Sequence, residues 1–259
     1  MEFELHTLLF TVGLFVGMLI CLEIGRQIGI RRLARDPEGA RVGVATVEGS
    51  LFGLLGLLIA FTFSGAATRF DTRRQLIVEE TNDIGTAYLR IDLLPVTAQP
   101  ALREKFRQYV DVRLGAYRML PDIAAAQAEL AKANRLQGEI WRQVVAASRA
   151  EGASPAAPML LLPAVNAMID ITTTRSMAMQ IHPPTIIFAM LFGLALTTSL
   201  LVGYGMAGSK SRSWLHMLGL AFTMAAAVYI ILDIEYPRFG LIRVDAFDQA
   251  LVDLRESMK

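Results

Sequence analysis

Four long apolar runs with almost no charge stand out along the chain, separated by segments in which charged residues recur. They cover residues 8–25, 49–68, 186–206 and 214–232. About 20 apolar residues in a helix cross the hydrocarbon of a bilayer, and a helix satisfies its own backbone hydrogen bonds there. The pattern therefore predicts an all-α membrane protein with four transmembrane helices.

Between the second and third runs the apolar positions keep a helical period, while charged residues fill the positions between them. One amphipathic helix is expected between Pro100 and Pro121 and a second over residues 122–149, ended by Glu151-Gly152 and the residues after it. The apolar face of the first consists of Leu102, Phe106, Tyr109, Val110 and Tyr117, and that of the second of Ile123, Leu130, Ile140, Trp141 and Val144. The second transmembrane helix should extend to Pro95, and a helix over residues 163–181 should lead into the third.

These elements divide the chain into four parts. Residues 1–68 hold transmembrane helices 1 and 2, and residues 69–182 form a helical extramembrane domain. Residues 183–235 hold transmembrane helices 3 and 4, and residues 236–259 form a C-terminal amphipathic tail. No strand-like alternation is long enough to suggest a sheet.

Composition narrows the function classes. A hydrophobic fraction of 54%, a charged fraction of 19% and a net charge of +1 without a basic block give no reason to expect a nucleic-acid partner. The single cysteine, Cys21, cannot form a disulfide within one chain. Three scattered histidines, no phosphate-binding glycine loop and no nucleophile elbow argue against an enzyme, and no cofactor is expected.

The second transmembrane helix carries a stripe of small residues on one side. Its members are Gly49, Gly53, Gly56, Ala60 and Ser64. Small residues let helices approach closely in lipid, so one interpretation is packing within the chain. The other is that this helix lines a pore around an oligomer axis, with an apolar constriction that gates by dewetting. The candidate lining residues are Phe52, Phe61, Phe63 and Ser64.

Two groups of acidic residues are candidates for a charged pore mouth or an ion site. Glu48, Asp233 and Glu235 lie near the ends of transmembrane helices, where Arg69 and Arg238 are available to neutralise the last two. Glu79, Glu80 and Asp83 follow the second transmembrane helix. Several carboxylates together suit a hard cation such as calcium, but neighbouring helical positions point in different directions and salt bridges are the alternative. The identity of any metal stays open.

Orientation follows from basic residues in short loops, which stay on the cytoplasmic side. The basic residues of the two short loops are Arg31, Arg32, Arg35, Arg41, Lys210 and Arg212. The opposing set, near the large domain, is Arg69, Arg73, Arg74, Arg238 and Arg243. The short-loop count predicts that the large domain is extracytoplasmic.

Several strings together resemble the bestrophin-like family of bacterial membrane proteins. They are GLLGLLIAFTFS (residues 53–64), Arg73-Arg74, ETNDIGTAYLRIDLLP (80–95) and LDIEYPRFGLIRV (232–244). The resemblance implies a bacterial inner-membrane ion channel, distantly related to bestrophins. Bestrophins are pentameric anion channels whose second helix lines the pore with an apolar neck. The implied partners are the lipid bilayer, inorganic ions and further copies of the chain, which together would form a pentamer.

Two other functions fit the same plan. A membrane-anchored scaffold or sensor would use the spans only for packing and the helical domain to bind a partner. A proton-driven unit of the flagellar-stator type would need a carboxylate on a relay path, but transmembrane helices 3 and 4 carry no acid at mid-depth, and Glu23 and Glu48 lie near one membrane face. This chain also differs from bestrophins in one respect, because bestrophins keep the large insertion in the cytosol, whereas the short-loop charges here predict an extracytoplasmic domain.

Overall fold

The computed structural model describes residues 2–38, 40, 42–120, 122–208 and 213–258, with side chains from Leu5 onward. These residues form eight α-helices and no β-strand. In chain order the helices are α1 Glu2–Arg35, α2 Val44–Leu89, α3 Gln99–Arg118, α4 Ile123–Ser148, α5 Ala157–Gln180, α6 Thr185–Gly205, α7 Trp214–Glu235 and α8 Gln249–Ser257. Four segments of the described chain, in α1, in α2, in the stretch from α5 to α6 and in α7, are long and apolar enough to cross a membrane. The all-α, four-span prediction is confirmed.

The chain forms two compact units. The first, here called the membrane unit, consists of residues 1–68 and 182–236 and contains α1, the first half of α2, α6 and α7. Its core lies where these helices meet, and α2 contributes Leu55 to it. The buried apolar residues of this core are Leu14, Met18, Leu55, Leu191, Ala195, Ala221 and Val228.

In the membrane unit, α1 and α6 approach until backbone touches backbone. A Cβ at Gly25 would lie 1.8 Å from the carbonyl oxygen of Leu200, and a Cβ at Gly203 would lie 2.0 Å from the carbonyl oxygen of Leu22. Only glycine fits at either position, because both distances are far below van der Waals contact. The close approach that small residues allow in lipid therefore joins α1 and α6, at glycines that the sequence analysis did not single out.

The second unit, here called the helical unit, consists of residues 69–181 and 237–259. It packs the second half of α2 with α3, α4, α5 and α8 around one apolar core. The predicted apolar face of α3 is confirmed at Leu102, Phe106, Tyr109 and Val110, which are all buried. Leu251 and Met258 of the C-terminal segment lie in the same core. The tail is therefore part of the helical unit.

Two details of the predicted helices are wrong. Ile123 is 58% exposed, because it is the first residue of α4, directly after the N-cap Asp122. α5 begins at Ala157 and not at Pro163, which lies inside the helix. Pro158 occupies the first turn, where the missing N–H costs no hydrogen bond, and the buried side chain of Leu161 fixes this earlier part of α5 in the core.

A buried arginine closes the C-terminal end of α5. The Nε of Arg73 donates to the carbonyl oxygen of Ala178 at 3.2 Å, and its Nη2 donates to that of Ile181 at 3.1 Å. The last carbonyls of a helix have no partner within the helix, and a cation is favourable at that end. Arg73 therefore ties the second half of α2 to α5.

Candidate functional site

One side of α2 packs into the membrane unit. Leu55, Thr62 and Ala66 are buried on it, at spacings of seven and four residues. The Thr62 hydroxyl donates to the carbonyl oxygen of Leu58 at 2.6 Å, which satisfies this polar group within the helix. The packed side is thus a narrow stripe along α2.

The small residues of α2 lie on the opposite side. At about 100° per residue, the stripe Gly49, Gly53, Gly56, Ala60 and Ser64 is centred more than a third of a turn from Leu55, and all five residues are exposed. Among the described residues, no atom lies within 4 Å of a Cβ built on any of the three glycines. Within the described part of the chain these glycines therefore make no close helix contact, unlike Gly25 and Gly203.

The candidate phenylalanines differ in position. Phe61 is 69% exposed and Phe63 is 44% exposed, and they lie on either side of the small-residue stripe. Phe52 is half-buried and lies toward the packed side of α2.

Burial separates α2 from the other spans. Only 6% of the most apolar stretch of α2 is buried, compared with 22%, 28% and 39% in the other three candidate spans. A helix that its own chain leaves so open faces lipid, other copies of the chain or a lumen. The exposed positions of α1 carry large aliphatic residues such as Leu8 and Leu9. Single exposed glycines also occur on the other spans, but on α2 three of them share one side with exposed Ala60 and Ser64.

A buried ionic cluster lies further along α2, in the helical unit. The Glu80 side chain is completely buried, and its Oε1 accepts a hydrogen bond from the Nε of Arg113 at 2.6 Å. Its Oε2 accepts from the Nη1 of Arg175. Both arginines are themselves buried. One carboxylate thus joins α2, α3 and α5.

The ring of Tyr117 completes this cluster. The Cζ atoms of Arg175 and Arg238 each lie 4.5 Å from the ring centroid, and that of Arg113 lies 5.3 Å away. The Nη2 of Arg113 donates to the Tyr117 hydroxyl at 2.5 Å. Each cation is attracted by the face of the ring, and the repulsion among the three cations is offset by the carboxylates that pair with them.

Arg238 brings its own counter-charges. Its guanidinium donates to both carboxylate oxygens of Asp248, at 2.8 and 2.9 Å, and to Asp245 at 3.2 Å. Such a bidentate pair fixes geometry as well as charge. Arg238 therefore joins the segment after α7 to the cluster around Tyr117.

The protonation states of the cluster are fixed by its charges. Burial alone would raise the pKa of Glu80, but the charges and hydrogen bonds of Arg113 and Arg175 outweigh it and hold that pKa below its usual value. Burial, followed by the charge of Glu80, raises the pKa of the Tyr117 hydroxyl, which stays protonated. Glu80 is thus held as a carboxylate between two arginines, and the arrangement holds three helices together.

The other predicted acids are dispersed. Glu79 is exposed and Asp83 is half-buried, so the structure corrects the grouping of Glu80 with them as one charged surface. Asp233 and Glu235 are buried at the end of α7, and the Glu235 carboxylate lies 3.0 Å from the Nδ1 of His182. Within the described residues, no group of three or more His, Cys, Asp or Glu side chains is placed to hold a metal ion.

Sequence reasoning missed Arg113 and Arg175 and treated Tyr117 only as an apolar residue. One signal was present in α3, because Arg113 follows Phe106 by seven residues and Tyr109 by four, on the apolar face. A cation on a buried face needs a counter-charge. Nothing local indicated that this charge is Glu80.

The family model described as the Bestrophin-like domain matches residues 14–246. Two crystal structures of a bacterial bestrophin homolog from Klebsiella pneumoniae are similar in fold. One, carrying a tryptophan-to-alanine mutation, has a TM-score of 0.70 at 11% identity, over 95% of this chain and 98% of that chain. The other, carrying a tyrosine-to-alanine mutation, has a TM-score of 0.64 at 13% identity, over 93% and 99%. The comparison with curated proteins gives no match.

Proposed function

Because this chain belongs to the bestrophin-like family, we propose that several copies assemble around a common axis into an ion channel lined by α2. Five copies is the number that the resemblance to bestrophins implies. The observation that carries the proposal is the exposed small-residue stripe of α2, which lies opposite the side that packs into the membrane unit. Homo-oligomers with closed symmetry present the same surface of each copy to a shared axis.

The chemistry of the stripe supports a packed or lumenal face over a lipid-facing one. Apolar side chains gain nothing by leaving lipid for a protein contact, so association of membrane helices depends on close packing and polar contacts. Glycine and alanine at four or three residue intervals allow a neighbouring helix to approach, and they also leave room for a lumen. The Ser64 hydroxyl adds a polar group at the same face.

An apolar constriction is assigned to Phe63 and Phe61, which flank the stripe. Rings of large apolar side chains around a pore gate it by dewetting. Phe52 is the weaker member of the predicted set, because its side chain lies toward the packed side of α2.

The ionic cluster supports this function indirectly. Glu80 lies on the same helix as the proposed pore face, and its two arginines belong to α3 and α5. The cluster is therefore proposed to hold the second half of α2 against α3 and α5 within the helical unit.

The test is ion flux into liposomes that contain the purified full chain, measured in parallel for chloride, sodium, potassium and protons. We expect selective flux that Phe63→Ala increases, because the variant widens the constriction. Phe222→Ala is the matched control, since Phe222 belongs to α7 and is 68% exposed, close to the 69% of Phe61. Absence of flux from a folded oligomer contradicts the channel and favours the scaffold or sensor function. Equal effects of the two variants on a measured flux contradict the constriction at Phe63.

We also propose, from the short-loop charges, that the protein lies in the bacterial inner membrane with the helical unit on the extracytoplasmic side. Arg31, Arg32 and Arg35, at the C-terminal end of α1 next to the first loop, support this, while the remaining members of that set, Arg41, Lys210 and Arg212, lie outside the described residues. Reporter fusions at residue 259 and within the loop after α1 test it in intact cells. An extracytoplasmic loop after α1 would overturn this orientation.

A further inference from the structure

A cavity of about 480 Å³ lies in the membrane unit, where α1 ends, α2 begins and α6 ends. Its described walls are mostly apolar, formed by side chains such as Leu33, Val44 and Met206, and by the ring of Tyr204. Among the described lining residues, Glu48 carries the only charge. The cavity is therefore an apolar chamber with one carboxylate.

That carboxylate is incompletely satisfied. The Oε1 of Glu48 is buried from solvent, and no hydrogen-bond donor for it exists among the residues that the structure describes. The great majority of buried polar groups have a partner, and an unpaired buried acceptor costs free energy. The main chemical feature of this cavity is therefore a carboxylate oxygen that lacks a hydrogen-bond donor among the described residues.

The backbone of α6 is shaped to hold the carboxylate in place. A Cβ at Gly205 would lie 2.3 Å from the Oε1 of Glu48 and 3.2 Å from its Cδ. Any side chain at this position would displace the carboxylate, so Gly205 leaves the space that the carboxylate occupies. The position of Glu48 is built by two helices, α2 and α6.

The charge of Glu48 and the side chains that line the cavity indicate the kind of ligand it would bind. The C-terminal end of a helix carries partial negative charge, and α6 ends at this cavity beside Glu48, so the site attracts a cation. A hard metal ion such as calcium needs six to eight oxygen ligands and is usually held by several carboxylates, whereas Glu48 is the only carboxylate among the described lining residues. A primary ammonium supplies three N–H donors and makes strong charge-assisted hydrogen bonds to a carboxylate.

We propose that this cavity binds a primary ammonium group, supplied by the headgroup of an aminophospholipid or by a small free amine. The cavity lies at the ends of the apolar stretches of α1, α2 and α6, which is the depth of lipid headgroups. The inference goes beyond ion conduction and does not depend on it.

Thermal unfolding of the purified full chain in neutral detergent tests the site, with ethanolamine hydrochloride or tetramethylammonium chloride added at equal ionic strength. Ethanolamine at about ten times its Kd should raise the Tm by about 3 to 6 °C. Tetramethylammonium, which has no N–H donor, should leave it unchanged. A second arm compares nanodiscs of phosphatidylcholine with nanodiscs that also contain phosphatidylethanolamine. A shift in both arms identifies a lipid headgroup as the occupant, and a shift with ethanolamine alone identifies a free amine.

Glu48→Gln should abolish the shift. Without ligand, this variant should be at least as stable as the original chain, because it removes an unpaired carboxylate. Glu23→Gln is the matched control and should keep the shift, since Glu23 already accepts from the Nε2 of Gln27 at 3.2 Å. Gly205→Ala keeps the carboxylate but displaces it, and should also lose the response.

Four results overturn the proposal. They are the absence of any shift in the original chain, an equal shift with sodium chloride, a Glu48→Gln variant that still responds, and a Glu48→Gln variant that unfolds without ligand. The last result would show that Glu48 is paired with a basic group of the chain itself.

Discussion

Replacing Glu80 by glutamine removes the charge that balances two buried arginines. The side chains of Arg113 and Arg175 are 4% and 6% exposed, so neither can turn to water without opening the packing between α2, α3 and α5. Arg238 stays neutralised by Asp248, which leaves two uncompensated cations around the ring of Tyr117. Breaking a buried ion pair by removing one partner costs about 3 to 5 kcal/mol. This is a large part of the stability of a typical domain.

Far-UV circular dichroism of the purified protein in detergent measures this cost. A loss of 3 to 5 kcal/mol corresponds to a fall in Tm of about 6 to 20 °C for a chain of this size. Glu104→Gln is the matched control, because Glu104 pairs with the Nε of Arg107 at 2.9 Å on the surface of α3, where 54% of its side chain is exposed. We expect no measurable change in that variant. Equal Tm values for the Glu80 and Glu104 variants would refute the structural role assigned to the cluster.

Four further predictions follow from the packing and the charges. Gly25→Ala should lower the free energy of unfolding of the membrane unit by about 1 to 3 kcal/mol, because the added Cβ meets the Leu200 carbonyl oxygen. Thermal unfolding measures this loss, and a Gly25→Ala variant as stable as the original chain contradicts it. Gly53→Leu should leave the fold intact and weaken the oligomer, which light scattering measures. Because the folded-state pKa of Glu80 is lowered, its contribution should be complete above the unfolded carboxyl pKa of about 4.3 and disappear as the pH falls through the folded value. The Tm difference between the original chain and Glu80→Gln should therefore shrink below pH 4, and a constant difference would contradict this. Arg73→Met should lower the free energy of unfolding by about 1 to 3 kcal/mol, since it leaves carbonyl oxygens at the end of α5 without a hydrogen-bond donor. An unchanged midpoint of urea unfolding would count against that capping role.

The helices were predictable because their burial follows the chain's own periodicity. Leu102, Phe106 and Tyr109 define the buried face of α3 without knowledge of any partner, and the apolar runs define the spans. Ile123 shows the limit of this reasoning, because a residue at a helix end can match the period and still precede the core. Pro163 shows another, since proline marks a helix start only when no earlier turn is held by packing.

Small-residue spacing identified a surface but not its partner. The stripe containing Gly53 and the pair Gly25 and Gly29 have the same spacing of four, yet only the second makes a close approach within the chain, to α6. Which of two such surfaces is filled by the same chain depends on tertiary structure. The remaining surface is meaningful only when several copies are considered together.

The ionic cluster was unpredictable for a similar reason. Glu80 and Arg175 are 95 residues apart in sequence, and no local pattern records their pairing. Glu80 looked like its exposed neighbour Glu79, because both belong to one acidic segment. Consecutive positions on a helix differ in direction by about 100°, which is enough to give adjacent carboxylates different environments.

Cysteine accessibility along α2 tests most directly whether this helix lines an ion pathway. The starting chain carries Cys21→Ala, which removes its own thiol. Four single-cysteine variants of it are reconstituted into liposomes: Ala60→Cys, Ser64→Cys, Leu58→Cys and Thr62→Cys. Ion flux is measured before and after a water-soluble thiosulfonate is added. The exposed positions 60 and 64 should react and block flux, whereas positions 58 and 62, on the packed side, should not. Block at positions 58 and 62, or at none of the four in a conducting protein, would contradict a pore lined by the small-residue face of α2.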